Sequence, residues 1–221
     1  MDHRMQTLDL PRYKTLREGA EVLEADRSGD KVLRLGDGTV LKLFRRKRLL
    51  TSAALYPYAV RFADNCALLA ERDIPCPHVL SVYRIKQLAS HAAHYDPLPG
   101  ITLREALTKS ENREALRAQL GHFLATLHDK GIYFRSAHLG NIILTPDNQL
   151  GLIDCADLRA YKRPLRRNLR VRNFKHVLRL EKDRELLLEG GGRGFLDAYL
   201  QDQQASTAVK LASAIAIPAC I

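Results

Sequence analysis

Three side chains of this 221-residue chain have the types and order that one chemistry requires. Lys42 sits inside the run Thr39-Val40-Leu41-Lys42-Leu43-Phe44, Asn141 directly precedes Ile142-Ile143-Leu144, and Asp154 directly follows Leu150-Gly151-Leu152-Ile153. A lysine ammonium neutralises phosphate oxygens, while an asparagine carbonyl oxygen and a carboxylate are hard oxygen ligands for Mg²⁺. Together they are the residue set of phosphoryl transfer. Pro146-Asp147-Asn148 between two short apolar runs predicts a hairpin, with Asn141 and Asp154 at its two ends on one side. Taken singly, each residue has an ordinary reading as a solvated lysine, a turn asparagine or a capping aspartate. Their order along the chain carries the argument.

The rest of the sequence supplies elements to position them. Glu21–Leu23 reads as the end of a first strand, Asp26–Asp30 as a turn, and Lys31–Leu35 alternates as a half-buried strand does. Gly36-Asp37-Gly38 predicts a tight hairpin into the Lys42 strand, completing a three-stranded antiparallel meander. An apolar face made by Val60, Ala63, Ala67, Leu68 and Ala70 predicts a helix over Tyr58–Arg72, ended by Ile74-Pro75-Cys76-Pro77. Val79–Tyr83 is a further strand, and His94-Tyr95-Asp96-Pro97-Leu98-Pro99-Gly100 a strand end running into a linker. The expected domains are therefore residues 1–97 and 98–221. In the second, Thr102 with Glu105 forms a capping box, and a long helix is expected from Ser110 to Asp129, closed by Gly131. Beyond Asp154 come one or two amphipathic basic helices, a break at Gly190-Gly191-Gly192 and a last short helix. The expected fold class is α+β, a small bilobal protein-kinase-like fold with an antiparallel-sheet N-terminal lobe and a helical C-terminal lobe.

Composition narrows the function classes. With 46% hydrophobic and 27% charged residues, the chain can bury a core and is neither a disordered tail nor a disulfide-stapled miniprotein. The first twenty residues hold no apolar block, and the longest apolar stretch, LASAIAIPACI, falls short of a membrane span. Cys66, Cys76, Cys155 and Cys220 form no CxxC pair, so reduced thiols and a cytoplasmic location are expected. The net charge of +10 is concentrated: Arg159–Arg184 holds eleven Lys/Arg against two acidic residues. Such density self-repels unless an anion neutralises it, although a solvated helix face is the plainer alternative. Arg45-Arg46-Lys47-Arg48 would widen the basic surface. One phenylalanine in the basic stretch offers little base stacking, so nucleic acid ranks below phosphorylated lipid or saccharide.

The stretch FRSAHLGNIIL…GLIDCADLR resembles the catalytic and metal loops of the lipopolysaccharide kinase (Kdo/WaaP) family, which includes InaA-like and "toluene tolerance" proteins. GTVLKLF is similar to its nucleotide-lysine strand, RFADNCALLAERDIPCP to its regulatory helix, and HYDPLPGITLREAL to its hinge. The resemblance spans roughly residues 20–180. It implies ATP and Mg²⁺ as cofactors, with Lys42 on the phosphates, Asn141 and Asp154 on the metal, and the backbone around Tyr95–Leu98 meeting adenine. It also implies an anionic glycolipid or phosphorylated saccharide as partner, and peripheral contact with the anionic inner face of the membrane.

Three departures bear on activity. The family's catalytic aspartate lies five residues before the metal asparagine, where this chain has Ser136, a hydroxyl that takes no proton at neutral pH as a carboxylate does. His138 could do so, since imidazole titrates near neutrality, though bonding of its ring to the loop backbone is the plainer reading. Phe62 stands where a helix glutamate should pair with Lys42, Asp64 being the nearest acid, and Asp26–Asp30 lacks a glycine-rich phosphate loop. The expected function is an ATP-dependent phosphotransferase of the lipopolysaccharide-kinase type with a degenerate catalytic loop, Ser136 or His138 orienting the acceptor hydroxyl. The alternatives are a pseudokinase scaffold and a basic, nucleic-acid-associated kinase-like protein.

Overall fold

The computed structural model describes residues 5–27, 29–45 and 56–201. They form two compact units: residues up to Leu98 together with Asp154–Ala156, and Pro99–Ile153 together with residues from Asp157 onward.

The first unit is built on a six-stranded sheet of order β1-β5-β6-β4-β3-β2. Its strands are β1 (Gln6–Thr7), β2 (Glu21–Asp26), β3 (Gly29–Arg34), β4 (Val40–Arg45), β5 (His78–Ile85) and β6 (Ser90–Asp96). All pairings are antiparallel except β1 with β5. The three-stranded meander expected from the sequence is β2-β3-β4, with Gly38 at φ 86° in the tight turn. Strand β4 reads as a continuous apolar run because both its faces are covered. Leu41 and Leu43 face a core with Leu8, Tyr13, Leu33, Leu35, Tyr83, Ile85 and Ala92. The alternate residues Val40, Lys42 and Phe44 face the other side, where helix α2 (Tyr58–Glu71) buries Phe62, Ala63, Cys66 and Leu69. Helix α1 (Leu10–Arg17) was not anticipated. Its signal is Asp9-Leu10-Pro11: the Asp9 carboxylate accepts from Arg12 N–H at 2.8 Å and proline occupies the first turn.

The second unit is mainly helical. It contains β7 (Ile101–Thr102), α3 (Leu103–Lys109), α4 (Arg113–Asp129), β8 (Ile132–Phe134), β9 (Ile142–Leu144), β10 (Leu150–Leu152), β11 (Leu158–Ala160), α5 (Arg167–Val177), α6 (Glu181–Leu188) and α7 (Arg193–Gln201). Strands β10-β9-β7 form one small sheet and β11-β8 another. Thr102 caps α3 by accepting from Glu105 N–H at 3.2 Å, as its spacing predicted. Ser110 does not cap the long helix. Its N–H closes α3 on Ala106 O at 2.9 Å and its hydroxyl accepts from Asn112 N–H, so Asn112 caps α4 instead. Gly121 lets α4 and α7 approach closely, because a Cβ there would strike the Phe195 carbonyl. Around that contact Phe174, Phe195 and Tyr199 form the core, with Phe174 and Tyr199 edge to face at 4.7 Å. The structure is thus α+β, an antiparallel-dominated sheet followed by a helical unit, consistent with a small kinase-like fold. Among the described residues no helix is long and apolar enough to cross a membrane. The sequence-stretch Arg46–Arg48, Cys220 and the apolar C-terminal run lie outside the described residues.

Candidate functional site

Lys42 and Asp154, 112 residues apart in the chain, meet in the first unit, where Lys42 Nζ donates to Asp154 Oδ1 at 2.6 Å. The pleat of β4 turns Lys42 toward the α2 face, opposite Ala93 of β6. Side-chain exposure is 18% for Lys42 and 43% for Asp154, so the carboxylate remains open to solvent. Asp154 has the left-handed φ of 56°, a conformation that costs a non-glycine residue about 1 kcal/mol or more. The segment after it is held by Asn65 on α2, whose amide donates to Cys155 O at 2.7 Å. Among the described residues nothing donates to the second oxygen of Asp154.

The helix residue in the expected glutamate position is indeed apolar in its role. Phe62, 1% exposed, packs against Tyr95 at 5.1 Å and Phe44 at 6.2 Å. Asp64 accepts from Tyr56 OH at 2.5 Å and takes no part in pairing the lysine. Asp154 therefore supplies the only carboxylate hydrogen-bonded to Lys42 among the described residues. Burial pushes the Tyr95 phenol up, and the nearby Asp154 carboxylate adds to that shift. Leu98, half-buried, ends the first unit. Three free thiols, Cys66, Cys76 and Cys155, lie in the same unit. Hydrogen bonding between neighbouring sulfurs and burial push the Cys66 and Cys76 thiols up, so both stay protonated and unreactive.

Ser136, His138 and Asn141 lie together in the second unit, in a loop knitted by its own backbone. Ser136 O accepts from His138 N–H at 2.8 Å and from Asn141 Nδ2 at 3.0 Å, and His138 O accepts from Asn141 N–H at 2.8 Å. Ile153 N–H reaches Asn141 O at 3.0 Å, which joins the two ends of the β9–β10 hairpin. With its nitrogen committed to Ser136, the Asn141 amide keeps its oxygen for another partner. The Ser136 hydroxyl makes no hydrogen bond among the described residues.

Residues that sequence reasoning missed hold this loop. Asp183, 0% exposed on α6, accepts from Arg104 Nε at 2.6 Å, Arg104 Nη2 at 3.0 Å and Leu139 N–H at 2.9 Å. Behind β8, Asn173 Nδ2 donates to Phe134 O at 2.6 Å. Its Oδ1 must then accept from His128 Nε2–H at 3.0 Å, which leaves His128 Nδ1 to accept from Tyr199 OH at 2.9 Å. This tautomer is neutral, and burial lowers the His128 pKa to about 3. The signal available in the sequence was polar residues at apolar helix positions: His128 follows Leu127 on the buried face of α4, and Asn173 precedes Phe174 on α5.

Asp154 Oδ2 in the first unit and Asn141 Oδ1 in the second are each a hard oxygen without a hydrogen-bond donor among the described residues, the donor type a divalent cation such as Mg²⁺ takes. Lys42 fits a phosphate, since its ammonium has two further protons to give. No curated protein matches the chain. Residues 19–131, which run from before β2 through the end of α4 and include Lys42, Phe62 and Tyr95, match the phosphotransferase enzyme family (APH). With an antiparallel sheet carrying a lysine bound to a distant aspartate, and a match over half of its length, the chain belongs to the phosphotransferase enzyme family.

Proposed function

We propose that the protein is an ATP-dependent phosphotransferase of the lipopolysaccharide-kinase type, acting on a hydroxyl of an envelope glycolipid or saccharide. The observation that carries this reading is the 2.6 Å contact between Lys42 Nζ and Asp154 Oδ1. It joins the phosphate-binding and metal-binding side chains without a helix glutamate. Lys42 would bind phosphate oxygens, Asp154 and Asn141 would hold Mg²⁺, and the backbone from Tyr95 to Leu98 would receive the base. Bound ATP–Mg²⁺ would supply the phosphoryl group and offset its charge. Ser136 would orient the acceptor hydroxyl, with His138 beside it. A serine cannot accept the proton, and lack of a general base slows such reactions by about 10²–10⁴-fold. A slow enzyme of the cytoplasm, touching the inner membrane face through its basic segment, is the resulting picture.

A second reading, a pseudokinase scaffold or binding module that holds nucleotide weakly or not at all, draws on Ser136 and on buried Phe62. One experiment separates the two: ATP-dependent phosphate incorporation into core oligosaccharide by the native chain, Asp154→Ala and Ser136→Asp. The enzyme reading expects measurable incorporation, its loss in Asp154→Ala and a gain in Ser136→Asp. Equal incorporation by native chain and Asp154→Ala ends it. No Mg²⁺-dependent thermal shift with ATP, together with no effect of Ser136→Asp, leaves the pseudokinase.

A further inference from the structure

Four exposed arginines belong to the strands, loop and helix that meet around Tyr133 and His176, beside the loop that carries Ser136. Strands β8 and β11 pair with Tyr133 opposite Arg159, so these two side chains share a face, while Ile132, Phe134 and Leu158 turn into the core. Tyr133 OH is hydrogen-bonded to His176 Nε2 at 3.0 Å, which brings α5 onto that same face. Arg172 and His176 are one helical turn apart on α5, and Arg179 follows past its end with its N–H on His176 O at 3.4 Å. Arg135 is the exposed residue before Ser136. The His176 imidazole is held below its ordinary pKa first by burial, then by the guanidiniums of Arg179, Arg135 and Arg172. Tyr133, Arg135, Arg172 and Arg179 are the titratable or charged groups that face it, and Arg159 lies opposite Tyr133 across the strand pair.

Arg135, Arg159, Arg172 and Arg179 are all exposed, and none forms an ion pair with another described residue. The contrast with half-buried Arg104 and buried Arg117 and Arg170 is chemical: each of those has a carboxylate partner. Exposed guanidiniums without a carboxylate partner keep their donors for an anion, and a planar fork fits a phosphate through paired N–H bonds.

We propose that Arg135, Arg172 and Arg179, with Arg159 at the rim, form a subsite for a phosphomonoester carried by the acceptor molecule, holding its hydroxyl-bearing part at Ser136. The inference rests on the reading of the Ser136–Asn141 loop as the acceptor-facing loop, and it names the acceptor's chemical class: a molecule already bearing one phosphate. The fixed neighbour Tyr133–His176 gives the site a rigid floor and a reporter.

The test uses the full chain without nucleotide, so it stands apart from any failure of phosphoryl transfer. The His176 ring resonances are followed by NMR during titration with glycerol 3-phosphate at constant ionic strength, with sodium chloride as control. A parallel titration uses vesicles of phosphatidylcholine with or without phosphatidic acid. The expected result is a saturable shift with glycerol 3-phosphate, weakened about tenfold or more in Arg172→Gln/Arg179→Gln and less in Arg172→Lys. The same shift with phosphatidic acid vesicles would identify a lipid-borne phosphate as the source; a shift with the soluble ester alone would identify a free phosphate. Response to vesicles but not to the soluble ester overturns the proposal in favour of general membrane electrostatics. No saturable shift with either, or one undiminished in the double variant, also overturns it. Should the double variant fail to fold, Arg172→Gln alone carries the same comparison.

Discussion

Two carboxylate–cation pairs of equal length do opposite jobs. Lys42–Asp154 in the first unit and Arg104–Asp183 in the second both close at 2.6 Å. Asp183 is 0% exposed and both its oxygens are filled, by two guanidinium nitrogens and the Leu139 N–H. Asp154 is 43% exposed, sits on a left-handed backbone, and has filled one oxygen. A saturated buried carboxylate fixes the loop to which it bonds. An open one on strained backbone retains the capacity to bind something else. The length of an ion pair therefore says little about its role; the number of unfilled lone pairs says more.

The comparison can be broken most sharply at Asp183. Asp183→Ala leaves the Arg104 guanidinium and the Leu139 N–H without their partner, and removing one half of a buried pair costs about 3–5 kcal/mol. Urea unfolding should record that loss, and a change below about 1 kcal/mol would show that Asp183 is not a structural clamp. Replacing both partners with apolar residues, Arg104→Met with Asp183→Leu, should recover much of it.

Acid should strike the interior of the second unit next. An unfolded His128 binds its proton near pH 6.5, whereas the folded imidazole does so only at about 3. The unfolded state thus binds more protons across that window, and stability falls as pH falls through it. The contribution is about 1.4 kcal/mol per pH unit, hence about 2 kcal/mol by pH 5, and is fully present above pH 6.5. Urea midpoints that stay level between pH 7 and 5 would sink this assignment.

Smaller effects belong to the open pair. Asn65→Ala removes the hydrogen bond to Cys155 O and should cost about 1 kcal/mol, while loosening the segment after Asp154. Its sharper reading is a weakened Mg²⁺-dependent thermal shift with ATP; a shift equal to that of the native chain would count against a positioning role for Asn65. Asp154→Ala should change stability least, by about 1 kcal/mol or less, because its pair is partly solvated. The same variant should lose the Mg²⁺-dependent shift altogether. If instead it unfolds like Asp183→Ala, the two pairs are not different in kind.

Much of the local structure was written in short-range patterns. Alternation marked β3, the Gly36-Asp37-Gly38 turn placed β4 after it, prolines ended α2, and the Thr102–Glu105 spacing capped α3, because these depend on neighbours within a few residues. The start of α4 was misplaced by two residues for the same kind of reason: Ser110 and Asn112 are both good caps, and only the closing of α3 on Ala106 decides between them. Two-residue strand β1 and three-residue strands β8 and β11 were not legible: the equally short β9 and β10 are joined by a turn signal, whereas these pair with partners far along the chain and carry no periodicity.

For the candidate site, residue type and order along the chain singled out Lys42, Asn141 and Asp154, the family resemblance added Ser136 and His138, and composition alone located the basic segment. Those properties are linear. What pairs with what is not. That Lys42 takes Asp154 as its carboxylate, that Phe62 packs on Tyr95, that Asp183 holds the Leu139 amide, and that four arginines gather around Tyr133 and His176 all depend on contacts between residues distant in the chain. Such contacts are selected by burial and by the satisfaction of polar groups in three dimensions, and no spacing rule encodes them.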